Sequence, residues 1–288
     1  MTEKRAKQMR RNLRVWGRKG ILVALAVILS IVMTFPLFWM VSGSFKSRGE
    51  IYKPPPSLLP RDWTTEGYEM LMYYTNFPAW FTNSLLVATV SSILALLLGL
   101  GAIYGVARFK FIGGRAFTYI VLITYMLPPI LLVIPLYSFW VRIGLADSLL
   151  ALALTYVTFT LPFALWMLRS YIETISPEME EAAMVDGATR FQAFHKITLP
   201  QAVPGMIATF IFTFILAWNE YLYALVMISS ESKKTVALGI GNLVGVKALF
   251  SWGMLNAGGV LATIPILIFF VFLQKRLVAG FSVGALKG

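Results

Sequence analysis

Six stretches of the chain are apolar with few interruptions: Ile21–Met40, Ser84–Ala107, Ala116–Val141, Ser148–Leu168, Met206–Ile228 and Leu255–Gln274. A helix rises about 1.5 Å per residue, so about 20 such residues cross the ~30 Å hydrocarbon layer of a bilayer, and each stretch is long enough. The runs are continuous, whereas barrel strands alternate between lipid-facing and lumen-facing side chains. The pattern therefore predicts an all-α integral membrane protein with six transmembrane helices. Pro128, Pro129 and Pro135 predict a kink in the third span, because each removes a backbone donor; the kink serves gating or packing alone. Gly99 and Gly101, inside the second span, predict close helix packing.

The polar segments organise the rest of the chain: a basic arm at 1–20, the first transmembrane helix at 21–45, an external loop at 46–83, a membrane core at 84–274 with a cytoplasmic loop at 170–205, and a cytoplasmic tail at 275–288. No strong internal repeat, low-complexity tract or Gly/Ser linker divides these into separately folding parts. The loop Lys46–Asn83 carries Pro54, Pro55, Pro56 and Pro60, then Tyr73, Tyr74, Phe77, Trp80 and Phe81. Prolines stiffen the backbone and aromatic rings favour the headgroup level, so the loop is either a membrane-resting segment or a docking surface for an external partner.

Charge fixes the expected orientation. Of 25 Lys and Arg, eight lie in the first 20 residues, directly before the first apolar run, and with the N-terminus inside the cations divide 17 inside to 8 outside. Cations stay on the cytoplasmic side of such helices, so both termini are expected there. The net charge of +12 is thereby read as a topology signal and lipid contact, with no nucleic-acid partner. The first apolar run exceeds the ~7–15 residues of a signal-peptide core and lacks a convincing cleavage site, so it is expected to remain as a span. With no cysteine, and His195 as the sole histidine, zinc and haem ligand sets are missing. No GxxxxGK[ST] occurs, so the chain has no phosphate-binding loop of its own.

The segment between the fourth and fifth spans breaks the apolar pattern. With Glu173 just before it, it holds five of the 13 carboxylates. Ser176 is placed to cap a helix with Pro177 at its first position, and Glu178, Glu180 and Glu181 fall where the helix dipole favours anions. Asp186-Gly187 provides a stop. Thr189-Arg190-Phe191-Gln192 fits a capping box that opens a second short helix, and Leu199-Pro200 is expected to end it. His195 reads as a solvated or packed helix residue, since one histidine without a partner makes no proton relay.

Glu181-Ala182-Ala183, then Gly187, then Ile197-Thr198-Leu199-Pro200 resemble the EAA loop of ABC importer permeases. The resemblance implies a type I importer permease fold in which this loop docks into a separate ATP-binding subunit, with Glu181, Ala182, Ala183, Asp186, Gly187, Ile197, Leu199 and Pro200 as the ATPase-coupling residues. The ending from Gln274 to Gly288, with Ala217–Tyr221, Pro265 and Gln274, is similar to the maltose- and trehalose-type sugar permeases of that family. This implies a heterodimer with a paralogous permease, two ATP-binding subunits that hold ATP and Mg, an extracytoplasmic solute-binding protein, and a di- or oligosaccharide as cargo. The chain itself would bind no cofactor and catalyse nothing, and would lie in a bacterial or archaeal cell membrane. Gly280, Gly284, Lys287 and Gly288 would form a tail at the ATPase interface, or else a frayed end.

Glu220 is the one charged residue placed deep within an expected span, and such carboxylates usually face a cavity or a partner. With Trp218, Asn219 and Tyr221 it suits a sugar path, where aromatic faces stack on rings and polar groups bind hydroxyls. A polar clamp to the partner permease suits it equally. An ion-coupled transporter or channel using Glu220 is the competing class.

Overall fold

The computed structural model describes residues 3–109, 113–244 and 251–284. Among these the chain is helical apart from connections and one isolated bridge between Lys46 and Trp63. Five single helices and one bent pair are long and apolar enough to cross a membrane. Helix α1 (Glu3–Ser44) contains the first of them; its apolar side chains from Ile21 to Phe38 are exposed around the whole helix, the surface expected against lipid or another subunit. Two short helices follow, α2 (Arg48–Ile51) and α3 (Glu66–Tyr74).

Two compact units are present. The smaller comprises the chain up to Leu71 together with 251–260. In it Gly67 lies against the Gly253 carbonyl, where an added Cβ would stand 2.6 Å from the oxygen. Lys46 is buried there, its ammonium 4.7 Å over the Trp39 ring and donating to the Ser57 carbonyl.

The larger unit is built on α4 (Phe77–Arg108), α7 (Leu149–Ile172) and α10 (Leu199–Trp218), which pack on one another. Small residues make the close approach possible. Ala88, Ser91, Ala95 and Gly99 of α4 and Ala153, Thr160 and Ala164 of α7 are all buried, the composition that lets membrane helices gain van der Waals contact where water supplies no driving force. A Cβ on Gly99 would meet Leu168 at 3.2 Å, so this glycine does serve packing, whereas Gly101 faces open space. α4 begins at Phe77, seven residues before the apolar run. Its first turn is fixed by Trp80, which is buried and donates from Nε1 to the Glu231 carbonyl at 3.1 Å. Of the aromatic cluster, Tyr73 and Tyr74 are exposed, but Phe77 and Trp80 are core.

The third span is two helices instead of one kinked helix. α5 (Gly114–Met126) and α6 (Pro129–Arg142) meet at 94°. Leu127 and Pro128 are both extended, as a residue before proline prefers, so two consecutive X-Pro bonds take two residues out of helical geometry and break the helix there. Pro135 stays inside α6.

The fifth span is also interrupted. α10 ends at Trp218 and a six-residue helix, α11 (Leu222–Met227), resumes after a break at Asn219–Tyr221. A 3-10 turn (Glu231–Lys233) and α12 (Val236–Leu243) lead to the last helix, α13 (Trp252–Gly284). The helix continues through Gly280 and Gly284, ten residues past the expected end of the sixth span. The cost of about 1 kcal/mol per glycine is small beside the long helical run that precedes it. Lys287 and Gly288 lie outside the described residues.

Candidate functional site: the loop between α7 and α10

α8 (Pro177–Val185) opens after Ser176, whose backbone is extended as a cap requires but whose hydroxyl makes no capping bond; Pro177 at the first position omits a donor that would have gone unpaired. The helix closes in a Schellman motif. Gly187, at φ +90°, donates to the Met184 carbonyl at 3.1 Å, and Ala188 donates to the Ala183 carbonyl at 3.0 Å. Thr189 then forms the expected capping box with Gln192: the Gln192 amide donates to the Thr189 hydroxyl at 3.3 Å, and the Thr189 amide to the Gln192 side chain at 2.8 Å.

The second helix does not end at Leu199-Pro200. α9 (Arg190–Ala193) passes into a π-helical turn (Phe194–Thr198) and straight on into α10. The wider turn is what admits the proline. Leu199 donates to the Phe194 carbonyl, a five-residue step, and Pro200 then occupies an early position of α10 where a missing donor is tolerated.

The coupling residues named from the sequence lie mostly at the surface of the loop, and the interior carboxylate is their neighbour Glu180. Glu181, Ala182, Asp186, Gly187 and Pro200 are exposed, and Ala183, Ile197 and Leu199 are half-buried. Glu180 is the buried one. Its carboxylate receives Arg108 Nε at 2.7 Å, the Tyr104 hydroxyl at 2.8 Å and the Thr198 hydroxyl. Arg108 Nη2 also donates to the Ile175 carbonyl at 2.9 Å. Burial alone would raise the pKa of Glu180; the bonds from Thr198, Arg108 and Tyr104 outweigh it and hold the carboxyl below its ordinary value. Glu180 and Glu181 lie one position, about 100° of helix, apart, so the two face different directions, but the local sequence does not say which turns inward. Arg108 enters the sequence reading only as one of the 17 inside cations. On the outer side of the loop Met179, Val185 and Phe191 are exposed apolar groups; Val185 and Phe191 are 87% and 70% accessible.

The residues at the α10–α11 break have structural partners. Glu220 accepts from the Tyr223 amide at 2.8 Å and the Ala224 amide at 3.2 Å, so its charge sits on the first turn of α11. Trp218 is buried, stacked on Phe214 and donating to the Ala262 carbonyl at 3.1 Å. Asn219 and Tyr221 are exposed, although the Asn219 amide donates back to the Ile215 carbonyl. Glu220 is thus not inside a continuous helix.

Residues 91–283, from the middle of α4 to the end of α13, match the family described as the inner membrane component of binding-protein-dependent transport systems. The chain belongs to this ABC permease family. An inner membrane ABC transporter permease protein of Escherichia coli is 38% identical, over 97% of this chain and 100% of its own. A trehalose/maltose transport system permease of Thermococcus litoralis is 34% identical, over 94% and 98% respectively. Among solved structures, a bacterial ABC transporter involved in alginate import superposes with a TM-score of 0.75 at 23% identity, covering 92% of this chain and 97% of that one, which shows the fold. The permease is accordingly a multi-pass cell-membrane protein and a transport component, not an enzyme.

One further polar cluster of the permease escaped the sequence reading. Asp147, between α6 and α7, adopts φ +53° and accepts from the amides of Ser229 and Ser230 at 2.9 and 3.1 Å, from the Ser230 hydroxyl, and from Lys233 Nζ at 3.1 Å. Burial works against its ionisation, but these donors hold its carboxyl well below the usual range. Its partners lie more than 80 residues away, so no local pattern marks it.

Proposed function

We propose that this permease is one half of an ATP-driven, binding-protein-dependent importer of a di- or oligosaccharide such as maltose or trehalose. In this reading both termini and the α8–α9 loop are cytoplasmic. A paralogous permease completes the pore, two partner subunits bind ATP and Mg, and an extracytoplasmic protein delivers the sugar. The observation that carries the reading is the outer surface of the loop. Val185 and Phe191 flank the Gly187 turn with their apolar side chains in the open, beside Glu181, Ala182, Ala183 and Asp186. Apolar groups displayed together on a polar connection are a surface that a docked partner would cover. Two small alanines allow close backbone approach, and Glu181 offers a carboxylate for charge-assisted bonds. Nucleotide-dependent movement of the ATPases would displace Glu181–Pro200 and shift the spans between outward and inward access, the driving term being the difference in nucleotide affinity between the two states.

The sugar class is supported by the Thermococcus relative, whose name gives trehalose and maltose as its cargo. Asn219 and Tyr221, exposed at the break, are the groups of the expected path left available to a hydroxylated ligand; Trp218 and Glu220 shape the break from behind. The C-terminal tail, Gly280 to Gly288, is placed at the ATPase interface on the same reading. The ion-coupled alternative is less favoured, because the Glu220 carboxylate has a structural task in accepting two backbone amides of α11.

The deciding experiment is uptake of labelled maltose and trehalose into proteoliposomes holding the assembled complex. ATP-dependent, binding-protein-dependent uptake is expected. Uptake that continues without ATP and collapses when the ion gradient is dissipated would rule the importer out.

A further inference from the structure

We infer that Glu180 is a mechanical joint that delivers movement of the α8–α9 loop directly to the end of α4, a span with which the loop has no covalent connection. The inference rests on the coupling role proposed above. Covalently the loop joins α7 to α10, and a lever built on those two connections alone would act on those two spans. The Glu180 cluster adds a third output. Tyr104 and Arg108, one helical turn apart at the end of α4, both bind the carboxylate.

The same turn of α4 is fastened at several further points. Arg108 holds the Ile175 carbonyl in the link between α7 and α8. The Tyr104 ring meets Phe194, the first residue of the π turn, at 4.5 Å, and the Arg190 guanidinium lies 5.1 Å over Phe109. Thr198, the last residue of the π turn, closes the ring of donors around Glu180. Loop entry, α8, α9 and the π turn are therefore all tied to one turn of one span.

Stability alone is a poor reason for this arrangement. Arg108 and Glu180 have side chains only 6% and 2% accessible, and buried ion pairs can often be exchanged for apolar residues of similar volume at no cost. What the ion pair supplies is stiffness of a directional kind. A buried carboxylate ringed by three donors has one good geometry, and pulling α8 away leaves an uncompensated charge instead of sliding one methyl past another. The π turn lies in series with this joint. Its wider, five-residue hydrogen bonding is a strained register of a sort that clusters at functional sites, and Thr198 connects that register to the carboxylate.

The chain has no cysteine, so pairs can be introduced without background. Arg108→Cys with Glu180→Cys would be assembled with the partner permease, the ATPases and the binding protein, and uptake and ATP hydrolysis measured on the same proteoliposomes. Untethered, the double variant is expected to lose roughly tenfold in sugar moved per ATP hydrolysed, within the range by which single links alter coupling between sites. A short bifunctional thiol reagent joining the two cysteines is expected to restore most of that ratio, and to restore nothing in either single variant. A wild-type ratio in the untethered protein would overturn the inference. So would a defect that the tether leaves in place, or parallel losses of uptake and hydrolysis that track the amount of complex assembled. Tyr104→Phe removes one donor and keeps the ring against Phe194; it is expected to lower the ratio about two- to threefold, so the proposal stays testable if the double variant folds poorly. A cysteine at Ala182, on the outer surface, tests the coupling role by itself: it should cross-link to an ATPase subunit. Failure of that cross-link refutes the docking reading, whereas an intact cross-link with an insensitive staple refutes the joint alone.

Discussion

Replacing Gly187 separates backbone conformation from packing. Its φ is +90°, and a Cβ built there meets no heavy atom within 4 Å, so any cost of substitution is conformational. An L residue in the left-handed region costs about 1–2 kcal/mol; asparagine bears it best and a β-branched side chain worst. α8 has nine residues, short of the ~12–15 that hold together in isolation, so it cannot absorb that strain by its own helical bonding. The two Schellman bonds to Met184 and Ala183 would open first, tilting Ala183 and Val185 on the proposed docking face. The expected order of sugar transported per ATP is therefore Gly, then Gly187→Asn close behind, then Gly187→Ala, then Gly187→Val. At ~1.4 kcal/mol per factor of ten, alanine should lose up to about tenfold and valine at least that. Uptake and phosphate release from reconstituted complexes give the ratio, while the melting temperature of the complex should hardly move, since Gly187 touches no core residue. Equal ratios across the series would refute the backbone argument. An asparagine variant as damaged as valine would show that side-chain bulk at the interface, not φ, is what matters.

Three other outcomes test other parts of the structure. Gly205→Ala should lower the melting temperature, because its Cβ would stand 2.3 Å from Cγ of Tyr171 and overpacking costs about 1–3 kcal/mol; Tyr171→Ala in the same chain should recover part of the loss, and strict additivity would show that the two do not meet. Glu220→Gln should weaken the cap on α11 by about 1 kcal/mol and lower thermal stability without changing the apparent KM for sugar; a raised KM at unchanged stability would return Glu220 to the substrate path. The Glu180 carboxyl is held below its ordinary pKa, so its contribution is fully present above the unfolded value of about 4.3 and is lost as pH falls through the lower folded value. Thermal stability should hold from neutral to about pH 5 and fall below that range, and Glu180→Gln should start lower and show a smaller acid fall, the remainder coming from other carboxylates held below their ordinary pKa such as Asp147; an unchanged acid fall in the variant would remove Glu180 as a source of it.

The apolar pattern found all six spanning segments because burial in lipid is a property of long runs, and long runs are visible in one dimension; it misplaced the fifth, expected over Met206–Ile228, whose long helix ends at Trp218. Local chemistry was legible where it closes within a few residues: the Thr189 capping box and the Gly187 stop need no knowledge of the rest of the chain. The proline readings show where that reasoning fails. Pro128-Pro129 and Pro200 present the same elementary facts, a missing donor and a restricted preceding residue, yet one breaks a span through 94° and the other is carried inside a continuous helix by a π turn. The difference lies in what surrounds them. Thr198 is held by Glu180 and Phe194 by Tyr104, so the chain before Pro200 is kept in helical register by contacts from α4 and α8. Long-range polar partners decide the remaining cases in the same way. Glu180 and Glu181 are adjacent acidic residues that no local pattern tells apart. Arg108, 72 positions earlier, selects the first as the interior charge and leaves the second on the surface. The division follows from folding: one carboxylate is spent holding the loop to the membrane helices, and its neighbour is thereby turned outward, where a partner subunit can reach it.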